Sequence, residues 1–427
     1  MNAVFLILVL TAFLTAAWNQ LNGSDGETTP MDTLSAAMVD SAGGAVELAI
    51  GLVGVMALFL GLMKIAEEGG LLTILARVIR PLMVRLFPDV PAEHPAMGAM
   101  ILNMSANLLG LGNAATPFGI RAMQELNKLN PVKGTATDSM VLFLAINTSS
   151  ITLLPTGVIA LRASAGSMDP AGILPTTLFA TVCSTIVAIT AALTYRHFFP
   201  VVPDSGATGE NSEQQATGTE VDIPTSDNGY PLWISWCVLG GFLALIPLTI
   251  LYGHIISPWI LPGLMLAFLL FGVARRVRIY EAFVEGAKEG FQVALKIIPY
   301  LVAILVAVGM FRASGALEWV VTGLGGVTGA VGLPAEALPM ALLRPLSGSG
   351  AYGVMASIVN DPAIGPDSYT GYLVSTLQGS TETTFYVLAV YFGAVQVRRI
   401  RHALAAGLTA DIAGVIAAVI AVSFLYG

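Results

Sequence analysis

The chain has 427 residues, of which 55% are apolar and only 11% charged, against about 25% charged in an ordinary soluble domain. Its net charge of −8 comes without a basic stripe carrying aromatics, which excludes a nucleic-acid surface. Cys183 and Cys237 both lie inside apolar runs and the four histidines are scattered, so neither a disulfide frame nor a metal site is expected. Nucleophile–base arrangements and phosphate loops are also missing, and Gly110-Leu-Gly follows no strand as a dinucleotide fingerprint would. No enzyme and no resident cofactor are expected; a coupling H+ or Na+ is the one ion the reading leaves open.

Taken in chain order, the first apolar run, Ala3–Trp18, has the length of a signal peptide but lacks a basic start and a clean cleavage site. It is expected to be a retained helix, with removal as the alternative. Ala45–Met63, Met140–Ala160, Gly172–Thr194, Trp233–Leu251 and Leu404–Leu425 follow, each close to the roughly 20 residues a helix needs to cross a bilayer core. Pro203–Asn228 is rich in Ser, Thr, Gly and acids and has no Lys or Arg; such a stretch makes a flexible linker. It divides the chain into residues 1–202 and 229–427, the second opening with two extra helices at 231–274.

The two parts repeat the same order of features. Asp40–Gly44 leads into the span Ala45–Met63, then Glu68–Leu71, an amphipathic stretch to Phe87, and Pro91–Met97. Gly286–Gly290 leads into Ala294–Phe311, then Ser314–Leu317, a stretch to Gly332, and Pro334–Met340. Each copy goes on to a glycine-broken segment, a span opened by Asp-Ser (Asp138-Ser139, Asp367-Ser368), and a closing apolar helix. Arg275, Arg276, Arg278, Arg398, Arg399, Arg401 and Arg196 are placed inside by the positive-inside rule. Arg77, Arg80 and Arg85 put the first amphipathic stretch inside too, whereas Ala316–Gly332 has no Lys or Arg and belongs outside. The copies are therefore read as inverted, a plan known in transporters. The fold class expected is an all-α polytopic membrane protein with inverted-topology repeats, re-entrant hairpins and discontinuous helices.

Met97–Leu109 and Phe118–Leu126, separated by Gly110–Pro117, are each too short to span about 30 Å. They read as a re-entrant hairpin; a kinked full span is the alternative. The second hairpin is Ala337–Val359, broken at Arg344–Gly350. Irregular backbone survives at membrane depth only where protein or a wet cavity satisfies it, so two breaks imply a shared polar cavity. Its expected lining is Asn103, Asn107, Asn113 and Thr116 from the first hairpin and Arg344, Ser347 and Ser349 from the second. The spans that follow add Asn147, Thr148, Ser149, Ser150 and Thr152 in one copy, and Gln378, Ser380, Thr381, Glu382 and Thr383 in the other. Ordinary hydrogen bonding between helices is the competing account for these Ser, Thr and Asn residues. Charges within spans are functional by default, so Arg344 and Glu382 are expected to share the cavity, as an ion pair or as partners of an anionic solute group. Glu382 is also a candidate proton carrier, with a static structural pair as the alternative. Glu47, Lys296 and Asp411 lie nearer the predicted span ends and rank lower.

Further runs carry a resemblance. Gly61–Glu67, His94–Gly98, Gly110–Pro117 and Phe143–Ser149 resemble spore maturation protein A. Ile298–Ala303, Phe311–Gly315, Arg344–Gly350, Gln378–Tyr386 and Arg401–Ala403 resemble spore maturation protein B. The chain is thus similar to a fusion of the two, within the nucleoside-recognition or gate domain group, which is similar in plan to concentrative nucleoside transporters. The resemblance implies a bacterial inner-membrane protein with hairpins in a transport core. Three functions follow as expectations: a secondary transporter of a small polar solute, nucleoside-like or anionic; a flippase gripping a lipid head group through Arg344; or a non-transporting scaffold. Membrane lipids are expected neighbours, the linker is expected in the cytoplasm, and assembly of identical chains is left open.

Overall fold

The computed structural model describes residues 2–22, 28–110, 112–149, 151–200, 261–319 and 331–427, with scattered positions between 231 and 329. The expected linker 203–228, most of the first extra helix and about half of the second amphipathic stretch lie outside these residues. Among the described residues the regular structure is helical: α1 (Asn2–Leu21), α2 (Pro30–Glu68), α3 (Leu71–Leu86), α4 (Pro95–Leu108), α5 (Gly112–Lys128), α6 (Asp138–Ser149), α7 (Thr156–Ser164) and α8 (Leu174–Tyr195). These are followed by α9 (Leu261–Ala274), then α10 (Ile279–Ala313), α11 (Leu338–Leu343), α12 (Gly348–Val359), α13 (Tyr369–Ser380), α14 (Thr384–Gly393) and α15 (Ala403–Tyr426). By length and composition α2, α8 and α15 are able to cross a membrane.

Local chemistry sets the element ends. Thr29 and Asp32 form a reciprocal capping box at the start of α2, with Pro30 in the first turn. That arrangement satisfies otherwise orphaned amides and uses proline where its missing N–H costs nothing. Gly70, at φ +82°, turns the chain from α2 into α3. His94 caps α4 through Nδ1, which accepts from the Ala96 amide at 3.1 Å, and Ser347 and Ser368 cap α12 and α13 in the same way.

The inversion of the two halves is visible in how equivalent helices meet. α2 and α10 open the two copies and lie against each other in opposite directions. Gly309 meets Ser41, Gly290 meets Ala57, and Gly286 meets Leu60, so residue numbers rise along one helix as they fall along the other. A Cβ on Gly290 would stand 2.7 Å from Ala57 Cα, so the crossing depends on small residues. α8 and α15, which close the copies, behave likewise: the Tyr195 hydroxyl reaches Thr409 (3.2 Å), Ser184 reaches Ala410 O (2.8 Å), and the Tyr426 hydroxyl reaches Gly172 O (2.6 Å).

Matching ion pairs seal the two ends. Arg401, just after α14, bonds Asp138 at the start of α6 (2.6 Å). Arg162, near the end of α7, bonds Asp367 just before α13 (2.9 Å). The path α6–α7 therefore runs antiparallel to α13–α14. Phe87 and Val90, around residue 89, belong to the same buried cluster as Val397 and Ala403, whereas Gly332 O accepts from the Tyr369 hydroxyl (2.7 Å) and Gly332 lies against Val419 and Ser423. These are opposite ends of α15, as inverted repeats require.

One expectation about the first hairpin needs correcting. Its break is narrower than Gly110–Pro117, because α5 already starts at Gly112 and carries Pro117 inside it. Proline near a helix start forfeits few internal bonds, and the Asn103 side chain serves a carbonyl there, Ala115 O, at 2.7 Å. The second limb is accordingly 17 residues, about 25 Å long.

Candidate binding site between the two broken helices

Both spans that follow the hairpins are discontinuous at matching places. α6 ends at Ser149 and the helix resumes as α7 at Thr156; α13 ends at Ser380 and resumes as α14 at Thr384. Pro155 starts α7, and Thr381 and Thr383 are extended (φ −139° and −83°). The two unwound segments touch. The Glu382 amide donates to Thr148 O at 2.8 Å, while the Leu153 amide donates to Leu108 O at the tip of the first hairpin (3.0 Å) and the Phe385 amide to Pro345 O in the second (3.0 Å). Amides and carbonyls freed by unwinding thus find partners, one across the pseudo-symmetry axis and two in the hairpin of their own half, the condition for irregular backbone to persist at membrane depth.

A cavity of about 240 Å³ lies at this crossing, lined from both halves. Asn107, Gly110, Thr152 and Pro155 come from the first, and Arg344, Gly348, Tyr352, Gln378 and Glu382 from the second. Arg344 is 6% exposed. Its guanidinium donates to Thr381 O and to Thr383 Oγ1 (3.3 Å) and lies 3.9 Å from the Glu382 carboxylate. The Glu382 side chain is half exposed, so the carboxylate faces the open volume while the arginine stands behind it. Gln378 Nε2 reaches Gly348 O at 3.5 Å. On the other wall Asn107 Nδ2 donates to Asn147 Oδ1 (3.0 Å), which also accepts from the Tyr391 hydroxyl (3.3 Å). Tyr391 in turn accepts from Asn103 Nδ2 (3.2 Å).

The expected site residues therefore separate by place. Asn107, Thr152, Arg344, Gln378 and Glu382 line the cavity. Asn147 and Thr383 stand one bond behind it, and Asn103 lies further back, reaching Asn147 through Tyr391. Thr148, Ser149 and Ser380 are buried and give their hydroxyls to carbonyls of their own helices. Thr381 contributes its carbonyl, and Ser347 caps α12 with Ser349 beside it (3.5 Å). Thr116 is half-buried on α5 and outside the lining. Ser150 and the Asn113 side chain lie outside the described residues.

The family model for the Gate domain, described as nucleoside recognition, matches residues 49–165 and 294–398. These two stretches contain the inverted hairpins and broken helices. The chain belongs to the Gate family. It is 48% identical over 167 residues to spore maturation protein B of Bacillus subtilis, across 39% of this chain and 93% of that one. It is 48% identical over 159 residues to spore maturation protein A of the same organism, across 37% of this chain and 81% of the relative. The expected relation to both is therefore found. Among solved structures, CNTnw in an outward-facing state aligns over 100% of this chain and 99% of its own length, at 13% identity and a TM-score of 0.39.

Two buried charged residues, Arg162 and Asp411, lie outside the expected site. Arg162 is 0% exposed. It lies 4.2 Å over the Tyr372 ring and donates to Pro366 O (2.5 Å), Asp169 O (3.1 Å) and Asp367. Its place in Leu161-Arg-Ala-Ser, at the end of an apolar run, reads as an interface charge. Only the symmetry with Arg401 would have paired it. Asp411, ranked low for its distance from the span centre, is 5% exposed and accepts from Thr384 Oγ1 at 2.7 Å. The glycines at 407 and 414 share its helical face and were the available signal.

Proposed function

We propose that this protein is a secondary transporter of a small polar solute, nucleoside-like in its hydrogen-bonding character, seated in a bacterial inner membrane. The observation that carries this reading is the cavity at the crossing of the two broken helices, because inverted halves that both line one midplane pocket are the geometry of alternating access. The lining matches such a solute. Asn107, Thr152 and Gln378 offer neutral donors and acceptors, and Glu382 offers a carboxylate for hydroxyl or N–H groups. The volume falls below the roughly 300–1,000 Å³ of sites for drug-sized ligands, which favours a compact polar molecule over a lipid with its chains. The family description, nucleoside recognition, and the printed name of a further relative, an inner membrane protein of Escherichia coli 32% identical over 103 residues, point the same way. In this reading the chain is two Gate units, 1–202 and 229–427, joined by a cytoplasmic linker.

The test is uptake of a panel of radiolabelled nucleosides, uridine and adenosine first, by proteoliposomes carrying the purified full chain. Saturable uptake is expected in wild type. It should fall about tenfold or more in Glu382→Gln, the usual consequence of losing a hydrogen bond to a charged group. Uptake no greater than in empty liposomes for every nucleoside, amino acid and small anion tried would overturn the assignment.

A further inference from the structure

Behind the cavity, α15 presses directly on the break between α13 and α14. Gly407, Asp411 and Gly414 recur at the i, i+4, i+7 spacing of one helix face. A Cβ on Gly407 would stand 2.8 Å from Thr384 Cγ2, and one on Gly414 would stand 2.8 Å from Thr381 Cγ2. The two glycines let the helix approach until the carboxyl between them meets the residue that restarts the helix, Thr384. One oxygen of Asp411, Oδ2, accepts from Thr384 Oγ1 at 2.7 Å, while Oδ1 is buried with no hydrogen-bond partner among the described residues. A buried carboxylate normally collects several donors, because a buried anion with an unsatisfied oxygen is costly. Here one neutral hydroxyl serves it.

We propose that Asp411 is a proton-binding site: the missing partner of Oδ1 is a proton, taken up and released in step with events in the cavity. The device that links the two is Arg344. It lies 3.9 Å from Glu382 and donates to Thr381 O and Thr383 Oγ1, in the same break whose Thr384 hydroxyl Asp411 accepts. When Arg344 is engaged by Glu382, or by a solute that binds there, less of its field reaches Asp411 and the carboxyl keeps its proton. When Arg344 is free of that engagement, the field favours the anion and the proton leaves. The helices packed on α15 carry other titratable groups: Asp138 on α6, Cys183 and Tyr195 on α8, Tyr369 and Tyr372 on α13, and Tyr386 and Tyr391 on α14. Arg344 is the cation bonded to the same break as Asp411. Its positive charge also disfavours a metal cation at the same place, so the ligand is H+ and not Na+. The use of this proton, to couple solute movement, rests on the transport reading above; its presence does not.

Infrared difference spectroscopy of the full chain in lipid nanodiscs, titrated from acid to alkaline pH in sodium-free buffer, reads the proton directly. Wild type is expected to show a protonated carboxyl C=O stretch that disappears as pH rises. Asp411→Asn, which keeps an acceptor for Thr384, should lack the band. Glu382→Gln should retain it with a midpoint moved to lower pH, because the whole field of Arg344 then falls on Asp411. Should Asp411→Asn fail to fold, Thr384→Val serves instead: it removes the one named donor to Oδ2 and should move both the band position and its midpoint upward. A band that survives Asp411→Asn, one lost in Glu382→Gln, none in wild type, or one abolished by NaCl at constant pH would each overturn the proposal. None of these readings requires solute flux, so an intact band in liposomes that move no uridine counts against the transport reading alone.

Discussion

In the first half, the carbonyl of Ser149 at the end of α6 takes hydrogen bonds from Thr181 and Thr185 of α8, at 3.0 and 3.2 Å. In the second, the corresponding end of α13 is served by charged groups. Arg344 donates to Thr381 O, Glu382 lies across from it, and Asp411 on α15 takes the hydroxyl of Thr384. The backbone geometry is shared while the chemistry is not. Threonine hydroxyls are neutral and local and hold a break shut at all times. A guanidinium between two carboxyls has more than one favourable arrangement, and a change of charge or occupancy at either carboxyl shifts the balance. In the proposed reading the first half is therefore the static wall of the cavity and the second half carries its responsive groups.

The sharpest way to probe that comparison lies at the sealed ends, where the two ion pairs look equivalent. Asp367→Asn is expected to have the largest effect. Asp367 neutralises a fully buried arginine and also accepts from Ser167 (2.5 Å) and from the Met168 amide (2.7 Å). Leaving such a charge uncompensated costs about 3–5 kcal/mol. Asp138→Asn should cost less, because Asp138 serves Arg401 alone among these partners, and Arg401 also donates to Ala136 O (3.1 Å) and Phe199 O. Thermal melting in detergent of both variants checks this, and equal losses would mean that the pairs are energetic as well as geometric counterparts.

Gly110 is the next largest case. It sits at φ +74°, and a Cβ there would come within 2.5 Å of Leu154 O. Gly110→Ala therefore meets a backbone penalty of about 1–2 kcal/mol and a steric one of about 1–3 kcal/mol. The equivalent turn of the second hairpin is closed by Arg344 and capped by Ser347. Gly348→Ala would meet the side-chain hydroxyl of Thr383 at 2.7 Å, but Gly348 has no positive φ and so no backbone penalty, and it should cost less. Melting temperatures of the two alanine variants measure the difference.

These cases also show what was legible beforehand. The repeat, the hairpins and the two breaks follow from order and composition, since Gly, Pro and polar clusters inside apolar runs are a backbone signal. Arg344 and Glu382 announced themselves because a charge in a span is costly wherever it points. The polar clusters are harder to read, because a hydroxyl at the end of a helix bonds its own carbonyls, as Thr148 and Ser149 do, and nothing in the residue type separates that from binding. Asp411 and Arg162 were underread for the opposite reason. Nearness to a span end reads as freedom to reach water, whereas the packing of α15 against α13 and α14 turns one side chain inward and the seal around Arg162 covers the other.

The smallest expected effect tests the static wall itself. Thr181→Val and Thr185→Val each keep the shape of the side chain and remove one donor to Ser149 O. Hydrogen bonds between membrane helices average about 0.6 kcal/mol, and with two donors on one carbonyl either replaces the other in part. Each single variant should thus leave the melting temperature nearly unchanged, while the double variant strands a buried carbonyl and should lose about 1–3 kcal/mol, more than the two singles together. Solute uptake should keep its pH dependence in all three, since none of them touches Arg344, Glu382 or Asp411. A changed pH profile in the double variant would mean that the neutral break moves with the charged one, and that the division between a fixed and a responsive half is wrong.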